Sequence, residues 1–332
     1  MKIYAFKDPN NATSSSGGAF PAIIEVVKLI EGVMPIVYGA AFDDSFSVVH
    51  IRATNEKEYL RLRGSKYVRS SLDGIFESVY CDLNNGYPVI FSGTPCQIVA
   101  MKNRLAKEKT NISKLYLVDI VCHGTPKIIV WKDFKNWIED KYNSRLVDFS
   151  FRYSKTKWKS YPIMAKFENG KQYVNSFKLR RYTELFYSDL TLVSGCYRCK
   201  YANINRISDI TIGDFWGIRS VLPHFPYNEE VSQVLPNTTK GDNIVRKLLE
   251  NRSYYMDKTD IENVIQYQTS FMKPTMKPKN VEEFWMKYKE ESFETILEKY
   301  AGYNTWGFLR HIIKKVLGKT GFIRLVKNIL KK

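Results

Sequence analysis

Two successive strand–turn–helix patterns constrain the fold of this chain more than any other feature of its sequence. The segment "GYPVIFSG" predicts a short buried strand that ends at Gly93, and "PCQIVAMKNRLAKEK" predicts a helix with Pro95 in its first turn. The segments "KLYLVDIVCHG" and "TPKIIVWKDFKNWIEDKYN" repeat the same pattern. Because strands that alternate with helices usually pair in parallel, the sequence predicts an α/β sheet.

Other segments add strands and helices to this framework. An amphipathic helix "AFPAIIEVVKLIEG", a hairpin with Asp43–Asp44 near its turn and a short helix capped by Asn55 precede the two units. Beyond residue 145 three segments predict antiparallel strands with a turn at Asn169–Gly170, and "ISDITIGDF" and "VSQVLPNT" predict two more. The predicted fold class is α/β with some α+β character: a mixed β-sheet flanked by helices, with a helical, basic C-terminal extension.

The chain has 332 residues, which suggests one large or two modest domains. We expect a main domain over residues 1–240 with a weak internal boundary near 145, a helical region over 241–304 and a basic amphipathic tail over 305–332. No secretory signal pattern and no run of about 20 apolar residues is present, so the expected compartment is the cytoplasm. Thiols stay reduced there, which favours ligands or inert core residues over disulfides.

Four of the five cysteines follow a suggestive pattern. Cys96 lies in the first turn of a predicted helix, and Cys122 ends the next predicted strand. Because the carboxyl ends of parallel strands meet at one edge of a sheet, the two thiols could be close in space. With the Cys-x-x-Cys pair Cys196 and Cys199 they would form a four-thiol group, which suits zinc or an iron–sulfur cluster. The spacing fits no compact metal motif, so ordinary thiols and a redox pair remain open, and Cys81 has no evident partner.

Small and basic residues mark two further turns. "SSSGGAF" precedes a helix, and "RLRGSKYVRSS" carries Arg63, Lys66 and Arg69, so both could present backbone N–H groups or charge to a phosphate. A helix cap and a solvated basic loop are the alternatives. His123 follows Cys122 directly and could donate a proton or a hydrogen bond to a cofactor, although a structural role is common for such a residue. Asp214 ends a predicted strand in "IGDFWG", where a turn-forming role is the alternative.

Seven motifs taken in order resemble the beta subunit of the coenzyme F420 (deazaflavin) hydrogenase/dehydrogenase family, whose bacterial members include proteins associated with polysaccharide biosynthesis. They run from about residue 14 to 243: "SGGAF", "RGSKYVRSSL", "FSGTPCQ", "VCHGTP", "FRYSKTKW", "GCYRCKYANINRISDITIGDFWGI" and "LPNTTKGDN".

The resemblance implies an iron–sulfur flavoprotein with FAD and a 4Fe-4S cluster on one α/β scaffold. The implied cluster ligands are Cys96, Cys122, Cys196 and Cys199. The implied cofactor-binding residues are Ser16, Gly17, Gly18, Gly64, Ser65, Lys66, Tyr67, Ser92, Gly93, Thr94 and Asp214. We expect His123 and Lys66 to be the catalytic residues.

The same resemblance implies how electrons reach the site. Many family members carry an N-terminal ferredoxin-like segment with its own cysteines, whereas this chain has none before Cys81. We therefore expect a separate ferredoxin-like carrier to supply electrons to the cluster and flavin. The expected substrate is a sugar nucleotide or lipid-linked sugar in cell-surface polysaccharide synthesis. The alternatives are a membrane-peripheral, glycosyltransferase-like enzyme with a zinc or empty cysteine site, and a scaffold that has lost redox function.

The net charge of +17 is concentrated at the C-terminus. Residues 305–332 contain eight Lys or Arg and no Asp or Glu, interleaved with apolar residues at near-helical spacing. This pattern predicts an interfacial helix pair on the anionic inner face of the cell membrane. The alternative is a helix packed on the body with a solvated basic face. No nucleic-acid fold or aromatic platform accompanies the charge, so we expect no nucleic-acid partner. The sequence is compatible with a homo-oligomer.

Overall fold

The computed structural model describes residues 1–10, 14–153, 162–227 and 230–313. These residues form two compact units. The first unit comprises the described residues of Met1–Thr125, Phe151–Tyr161 and Val193–Met276, and the second comprises those of Pro126–Ser150, Pro162–Leu192 and Lys277–Lys332. The three-part division made from the sequence, with its boundary near residue 145, stays a prediction.

The described residues form eleven strands in two sheets. They are β1 (Lys2–Lys7), β2 (Ile36–Phe42), β3 (Val48–Ala53), β4 (Val89–Gly93), β5 (Leu115–Ile120), β6 (Leu146–Ser150), β7 (Met164–Phe167), β8 (Gln172–Val174), β9 (Ile210–Asp214), β10 (Ser232–Pro236) and β11 (Tyr255–Asp260). The first unit holds an eight-stranded sheet in the order β11-β1-β10-β9-β5-β4-β2-β3, and the second holds the sheet β6-β7-β8.

Eleven named helices accompany the strands in the described residues. They are α1 (Ala19–Glu31), α2 (Glu56–Leu62), α3 (Ile75–Asn84), α4 (Pro95–Lys107), α5 (Ile128–Tyr142), α6 (Arg180–Tyr187), α7 (Ile218–Val221), α8 (Thr239–Glu250), α9 (Glu262–Ile265), α10 (Val281–Glu290) and α11 (Phe293–Ala301). Short 3₁₀ helices lie at Ser194–Arg198 and Thr269–Phe271, and residues 305–313 are helical.

The large sheet is mixed, as the sequence predicted. β2, β4, β5 and β9 pair in parallel at its centre, whereas β3 at one end and β10, β1 and β11 at the other pair antiparallel. The carboxyl ends of the four parallel strands therefore lie at one edge of the sheet, which we call the carboxyl edge. Helices flank the sheet, so the predicted fold class is confirmed.

Side chains alternate between two buried faces along the parallel strands. On one face Val37, Ile90 and Val118 pack with residues of α1 and α8. On the other face Phe91 and Leu117 pack with residues of α3 and α4. Burial on both faces explains why β4 and β5 consist of continuous apolar runs rather than an apolar–polar alternation. The sheet is thus held rigidly along its length, and its carboxyl edge is left for the connecting turns.

Most of the predicted elements are present, and two strands were not predicted. Asn55 caps α2 by accepting a hydrogen bond from the Glu58 N–H, and Pro95 begins α4, as expected. β1 was not predicted, and β11 falls within residues 241–304, which were predicted to be helical. β11 is an edge strand that pairs only with β1 and leaves most of its side chains at least partly exposed, so it lacks the apolar alternation that marks a strand.

The second unit has an aromatic core. Trp131 and Phe134 of α5 pack against Phe149 of β6 and Tyr182 of α6, with ring centroids 4.8 to 6.5 Å apart. The adjacent strands β6, β7 and β8 are antiparallel, as predicted, and Gly170 adopts φ +78° in the turn between β7 and β8. Such rings bury large apolar areas and stabilise a small unit.

The C-terminal tail is described only in part. Within residues 305–313, Phe308 and His311 contact the ring of Phe177, while Trp306, Leu309 and Ile312 are exposed. The second predicted apolar face, which runs from Phe322 to Leu330, lies outside the described residues. No helix in the part of the chain that the structure describes is both long and apolar enough to cross a bilayer.

Candidate functional site

Most of the site residues predicted from the sequence follow strands that end at the carboxyl edge. β1 is antiparallel to β10, which is antiparallel to β9, so β1 ends at this edge as well. Ser16–Gly18 follow β1, Ser92–Thr94 and Cys96 lie at the end of β4, Cys122 follows β5, and Asp214 ends β9. The Gly64–Tyr67 turn follows α2, and the Arg61 guanidinium of α2 donates to the carbonyl of Phe42, the last residue of β2. Ligands of open α/β sheets usually bind at such an edge.

Cys96 is the second residue of α4 and is exposed. The turn before it is fixed by a capping interaction, because the Thr94 N–H donates to Gln97 Oε1 at 2.9 Å and the Gln97 N–H donates to the Thr94 carbonyl at 2.9 Å. The Thr94 hydroxyl oxygen lies 3.2 Å from Cys96 Sγ. Free N–H groups at the start of a helix stabilise a thiolate, so this position suits a thiolate ligand.

Cys122 lies two residues beyond β5 and is half-buried. Burial raises the pKa of its thiol to about 12, and the negative charges of Cys196, Cys96 and Cys199 add to the increase, whereas a backbone hydrogen bond from Gly124 opposes it. The other three thiols of the predicted group are therefore near enough to affect Cys122 electrostatically. A thiol in this setting gives up its proton only when a cation replaces it.

Cys196 and Cys199 lie in a loop rather than at the end of a strand. Cys196 is within the 3₁₀ helix Ser194–Arg198, and Cys199 follows that helix directly. The loop is joined to the segment after β5 by the Val193 N–H, which donates to the Thr125 carbonyl at 2.9 Å. The Thr125 hydroxyl oxygen also lies 3.9 Å from Cys196 Sγ. We call Cys96 and Cys122 the strand-end thiols, and Cys196 and Cys199 the loop thiols.

The spacing of the four thiols bears on the kind of metal they could hold. Among the described residues, no three His, Cys, Asp or Glu side chains lie close enough together to hold a single metal ion. The electrostatic effect on Cys122 acts over a longer range than direct coordination. The structure therefore relates the thiols to one another electrostatically, and its described residues present no preformed site for a single metal ion.

The Ser16–Gly18 segment lies directly on β1 and β10. A Cβ atom at Gly17 would lie 2.1 Å from the Phe6 carbonyl oxygen and 2.4 Å from the Ser232 nitrogen, so only glycine fits there. The Gly17 carbonyl accepts a hydrogen bond from Asp8, and the Ser232 hydroxyl donates to Ser16 Oγ at 3.1 Å. Gly18 adopts φ +89° and begins α1. Gly17 therefore has a structural role that is independent of any cofactor.

The basic turn is organised by Lys66. Its ammonium donates to the carbonyls of Arg61 at 2.9 Å and Arg63 at 2.7 Å, and thereby satisfies groups at the end of α2. Burial, together with a smaller effect of the Arg61 charge, lowers the pKa of Lys66 to about 7. Gly64 adopts φ +80° with open space around it, while the Tyr67 ring lies 5.5 Å from that of Phe151. Two of the three Lys66 donors thus bind the protein backbone.

His50 supports the turn after β4 and was not predicted from the sequence. Its Nε2 donates to the Ser92 carbonyl at 2.8 Å, and its ring stacks on Phe91. Nδ1 is then a buried acceptor that receives no hydrogen bond from the described residues. Burial lowers the pKa of His50 to about 4, and the charge of Lys66 contributes, although the Ser92 bond opposes the shift. The signal in the sequence that could have identified His50 is its place in "SVVHIRA", where the alternation of a strand turns every second side chain inward.

Asp214 and His123 complete the nominated set. The Asp214 carboxylate accepts a hydrogen bond from Arg152 Nη1 at 2.7 Å, and its carbonyl accepts one from Gln268. His123 is exposed, and its carbonyl accepts a hydrogen bond from the Thr275 hydroxyl. The Asp214 carboxylate is therefore held by an arginine, whereas the His123 side chain lies at the surface next to Cys122.

Comparisons with known proteins agree with this architecture. The sequence model for the C-terminal part of the coenzyme F420 hydrogenase/dehydrogenase beta subunit matches residues 87–262, more than half of the 332 residues, and this range contains all four thiols. A solved structure of the F420-reducing NiFe hydrogenase complex from Methanosarcina barkeri, derivatized with xenon, contains a similar chain. The TM-score is 0.52 at 15% identity, over 88% of this chain and 93% of that chain. No curated protein matches the sequence. The resemblance is thus confirmed, and the chain belongs to the coenzyme F420 hydrogenase/dehydrogenase beta subunit family, a family of oxidoreductase subunits.

Proposed function

We propose that this chain is a flavin- and 4Fe-4S-dependent oxidoreductase that passes electrons from a separate ferredoxin-like carrier to a substrate. The observation that supports the proposal is that Cys96 and Cys122 follow neighbouring parallel strands at the carboxyl edge, while the Val193 N–H and Cys196 Sγ contact Thr125 in the segment after β5. Thiolates are the ligands of iron–sulfur clusters. The oxidoreductase family supports the same class of chemistry.

The donor set fits a cluster better than a single zinc ion. Around zinc, four sulfurs each lie about 2.3 Å from one centre and must be in mutual contact. A cubane cluster binds each thiolate at a different iron, so its ligand sulfurs lie farther apart. The family of oxidoreductase subunits supports the cluster, because a zinc ion carries no electrons. Such a cluster would carry one electron at a time.

For FAD we propose the turns at Ser16–Gly18, Gly64–Tyr67 and Ser92–Thr94, together with Asp214. FAD would convert single electrons into two-electron reduction of the substrate, while the protein supplies position and charge. The open space around Gly64 and the basic turn suit a pyrophosphate, and Ser92–Thr94 lie beside β5, which leads to Cys122. In this scheme the exposed imidazole of His123 exchanges a proton with the substrate, and Lys66, whose pKa is near 7, can do so at neutral pH.

The substrate we propose is a sugar nucleotide or lipid-linked sugar used in cell-surface polysaccharide synthesis. The resemblance of the motifs to polysaccharide-associated family members supports it. Turnover can be assayed with dithionite-reduced ferredoxin and candidate nucleotide sugars, and reoxidation of the ferredoxin only when a sugar is added is the expected result.

Anaerobic purification tests the cofactors directly. The wild-type protein should be brown-yellow and should release FAD with about four iron and four sulfide per chain. Cys199→Ser should lose the cluster absorbance, whereas Cys81→Ser, which changes an exposed cysteine outside the group, should retain it. A colourless preparation that contains only zinc would overturn the proposal and favour the glycosyltransferase-like alternative.

We also propose that the tail binds the anionic inner face of the cell membrane. The exposed side chains of Trp306, Leu309 and Ile312 in the described part of the tail, and its eight basic residues without an acidic one, support this proposal. Full-length protein should float with vesicles that contain phosphatidylglycerol, and protein truncated before residue 305 should remain in solution. Equal binding of both proteins, or equal binding to neutral vesicles, would contradict the proposal.

A further inference from the structure

Arg206 is a buried arginine in the loop that carries the loop thiols. Its side chain is 2% exposed. In the sequence the residue comes between Cys199 and β9. Its Nη1 donates to the Tyr201 carbonyl at 3.2 Å and lies 3.5 Å from Asp119 Oδ2, while its guanidinium carbon sits 5.2 Å from the Phe271 ring centroid. Arg206 was not among the site residues predicted from the sequence.

The two partners of Arg206 belong to the two halves of the thiol group. Tyr201 comes two residues after Cys199, and Asp119 lies in β5, three residues before Cys122. Asp119 is 1% exposed, so the ion pair is buried in β5. One guanidinium therefore connects the loop thiols to the strand that delivers Cys122.

Stability alone does not explain why the chain has a buried ion pair at this place. Nε and Nη2 of Arg206 and Oδ1 of Asp119 find no hydrogen-bond partner among the described residues. Unsatisfied buried donors cost free energy, and apolar residues of similar volume often stabilise a protein at least as well as a buried ion pair. A long apolar side chain would fill the space beside Phe271 without this cost.

We propose that Arg206 is a positioning residue that clamps the loop thiols Cys196 and Cys199 to β5, so that they meet the strand-end thiols in a fixed arrangement. The inference rests on the proposed function, because a four-iron cluster needs the strand-end thiols and the loop thiols as ligands at the same time. The clamp itself is a property of the protein and exists without iron.

The test uses two variants of the full chain. Arg206→Met alone leaves Asp119 buried without its cation and should lower stability, so the informative variant is the double substitution Arg206→Met with Asp119→Leu, which removes both charges. A matched control is Arg181→Met in the second unit, where a buried arginine binds the Phe177, Ala301 and Gly302 carbonyls. Melting temperatures report how much stability each substitution removes.

The decisive measurement is the alkylation rate of each thiol in iron-free protein, followed by mass spectrometry. In the double variant Cys196 and Cys199 should react about tenfold faster because the loop opens locally, while Cys96 and Cys122 keep their wild-type rates. General destabilisation would instead raise the rates of the three half-buried thiols Cys122, Cys196 and Cys199 together. Arg181→Met would show that pattern if a loss of stability in the second unit also exposed the first. Unchanged rates at the loop thiols would overturn the inference.

Reconstitution with ferrous iron and sulfide separates the two proposals. Wild-type protein should take up the cluster, and the double variant should hold less than half as much iron and sulfide at the same protein concentration. If the variant reconstitutes fully with a wild-type electron paramagnetic resonance spectrum, Arg206 has no positioning role. If wild-type protein itself takes up no cluster but the loop thiols respond to the double substitution, the clamp stands and the proposed function fails.

Discussion

The strand-end thiols and the loop thiols are held by different means. Cys96 and Cys122 follow β4 and β5, which are paired in parallel along their length, and Cys96 also belongs to the first turn of a thirteen-residue helix. Cys196 and Cys199 depend on a 3₁₀ helix of five residues and on a few tertiary contacts, among them the Val193–Thr125 hydrogen bond and the Arg206–Asp119 ion pair. One half of the site is thus built by regular secondary structure and the other half by tertiary contacts.

This difference has a mechanical consequence. Many backbone hydrogen bonds must break before a strand-end thiol moves, whereas the loop can open when few contacts are lost. We expect substitutions around the strand-end thiols to change stability while leaving the metal-binding capacity intact. Substitutions around the loop should reduce the metal-binding capacity, whether or not they also reduce stability.

The strongest effect that we predict concerns His50 beneath the strand-end turn. Its folded-state pKa of about 4 lies below the ordinary value of 6.5. Between these two pH values the unfolded chain therefore binds a proton at His50 that the folded chain does not bind. Above pH 6.5 His50 is neutral in both states, so the free energy of unfolding has its full value. It decreases as the pH falls from 6.5 toward 4, because the unfolded chain then takes up a proton. His50→Gln keeps a donor for Ser92 but does not titrate. Between these pH values the wild-type free energy of unfolding should fall by about 3 kcal/mol more than that of His50→Gln.

Urea denaturation at several pH values checks this prediction. Asp119 titrates in the same window with the opposite sign, because burial raises its pKa to about 6 although Arg206 opposes the shift. Since Asp119 is present in both proteins, only the difference between them reports on His50. Parallel pH profiles would show that His50 is hydrated in solution and that the turn after β4 is less rigid than the structure indicates.

The next effect is a difference in reactivity between Cys122 and Cys81. With a pKa of about 12, Cys122 has about three orders of magnitude less thiolate at pH 8 than an ordinary thiol. A more basic thiolate is intrinsically more nucleophilic, which recovers about half of that loss on a logarithmic scale. In iron-free protein Cys122 should therefore be alkylated about fiftyfold more slowly than Cys81, which is exposed. Equal alkylation rates at Cys122 and Cys81 would contradict the burial of Cys122.

Gln97 gives a smaller effect on stability at the other strand-end thiol. Gln97→Ala removes the acceptor for the Thr94 N–H and the donor to Ser70 Oγ, and should lower the free energy of unfolding by about 1–2 kcal/mol. Gln97→Glu keeps the acceptor and should lose less. Iron uptake should stay close to wild type in both variants, as measured by reconstitution. If Gln97→Ala lost iron as readily as the Arg206 double variant, the contrast between the two halves would not hold.

The weakest effect is expected at Asn55, which caps α2. Asn55→Ala removes the acceptor for the Glu58 N–H and should cost about 1 kcal/mol in thermal or urea denaturation, while Asn55→Asp should be nearly neutral. Neither substitution should change alkylation of the loop thiols or of the strand-end thiols. A change in thiol reactivity here would mean that general stability, rather than local contacts, controls access to the site.

Much of the framework was predictable from local sequence. The continuous apolar runs of β4 and β5, Pro95 at the start of α4 and the Asn55 cap act over a few residues, so their physical effects can be recognised without knowing the fold. The same logic placed Cys96 and Cys122 at one edge of the sheet. The addition of the loop thiols to this pair was an open hypothesis, which the resemblance to a family then supported, because no local rule connects residues 74 positions apart.

Local patterns in the chain were therefore enough to define the strand–helix units and the edge at which the strand-end thiols lie. The strand order, the edge position of β11 and the close backbone approach that makes Gly17 necessary became known only from the folded chain. The same is true of His50 beneath Ser92 and of the pairing of Arg206 with Asp119. Burial and long-range pairing depend on which distant segments meet, and these contacts leave no periodic pattern in the chain.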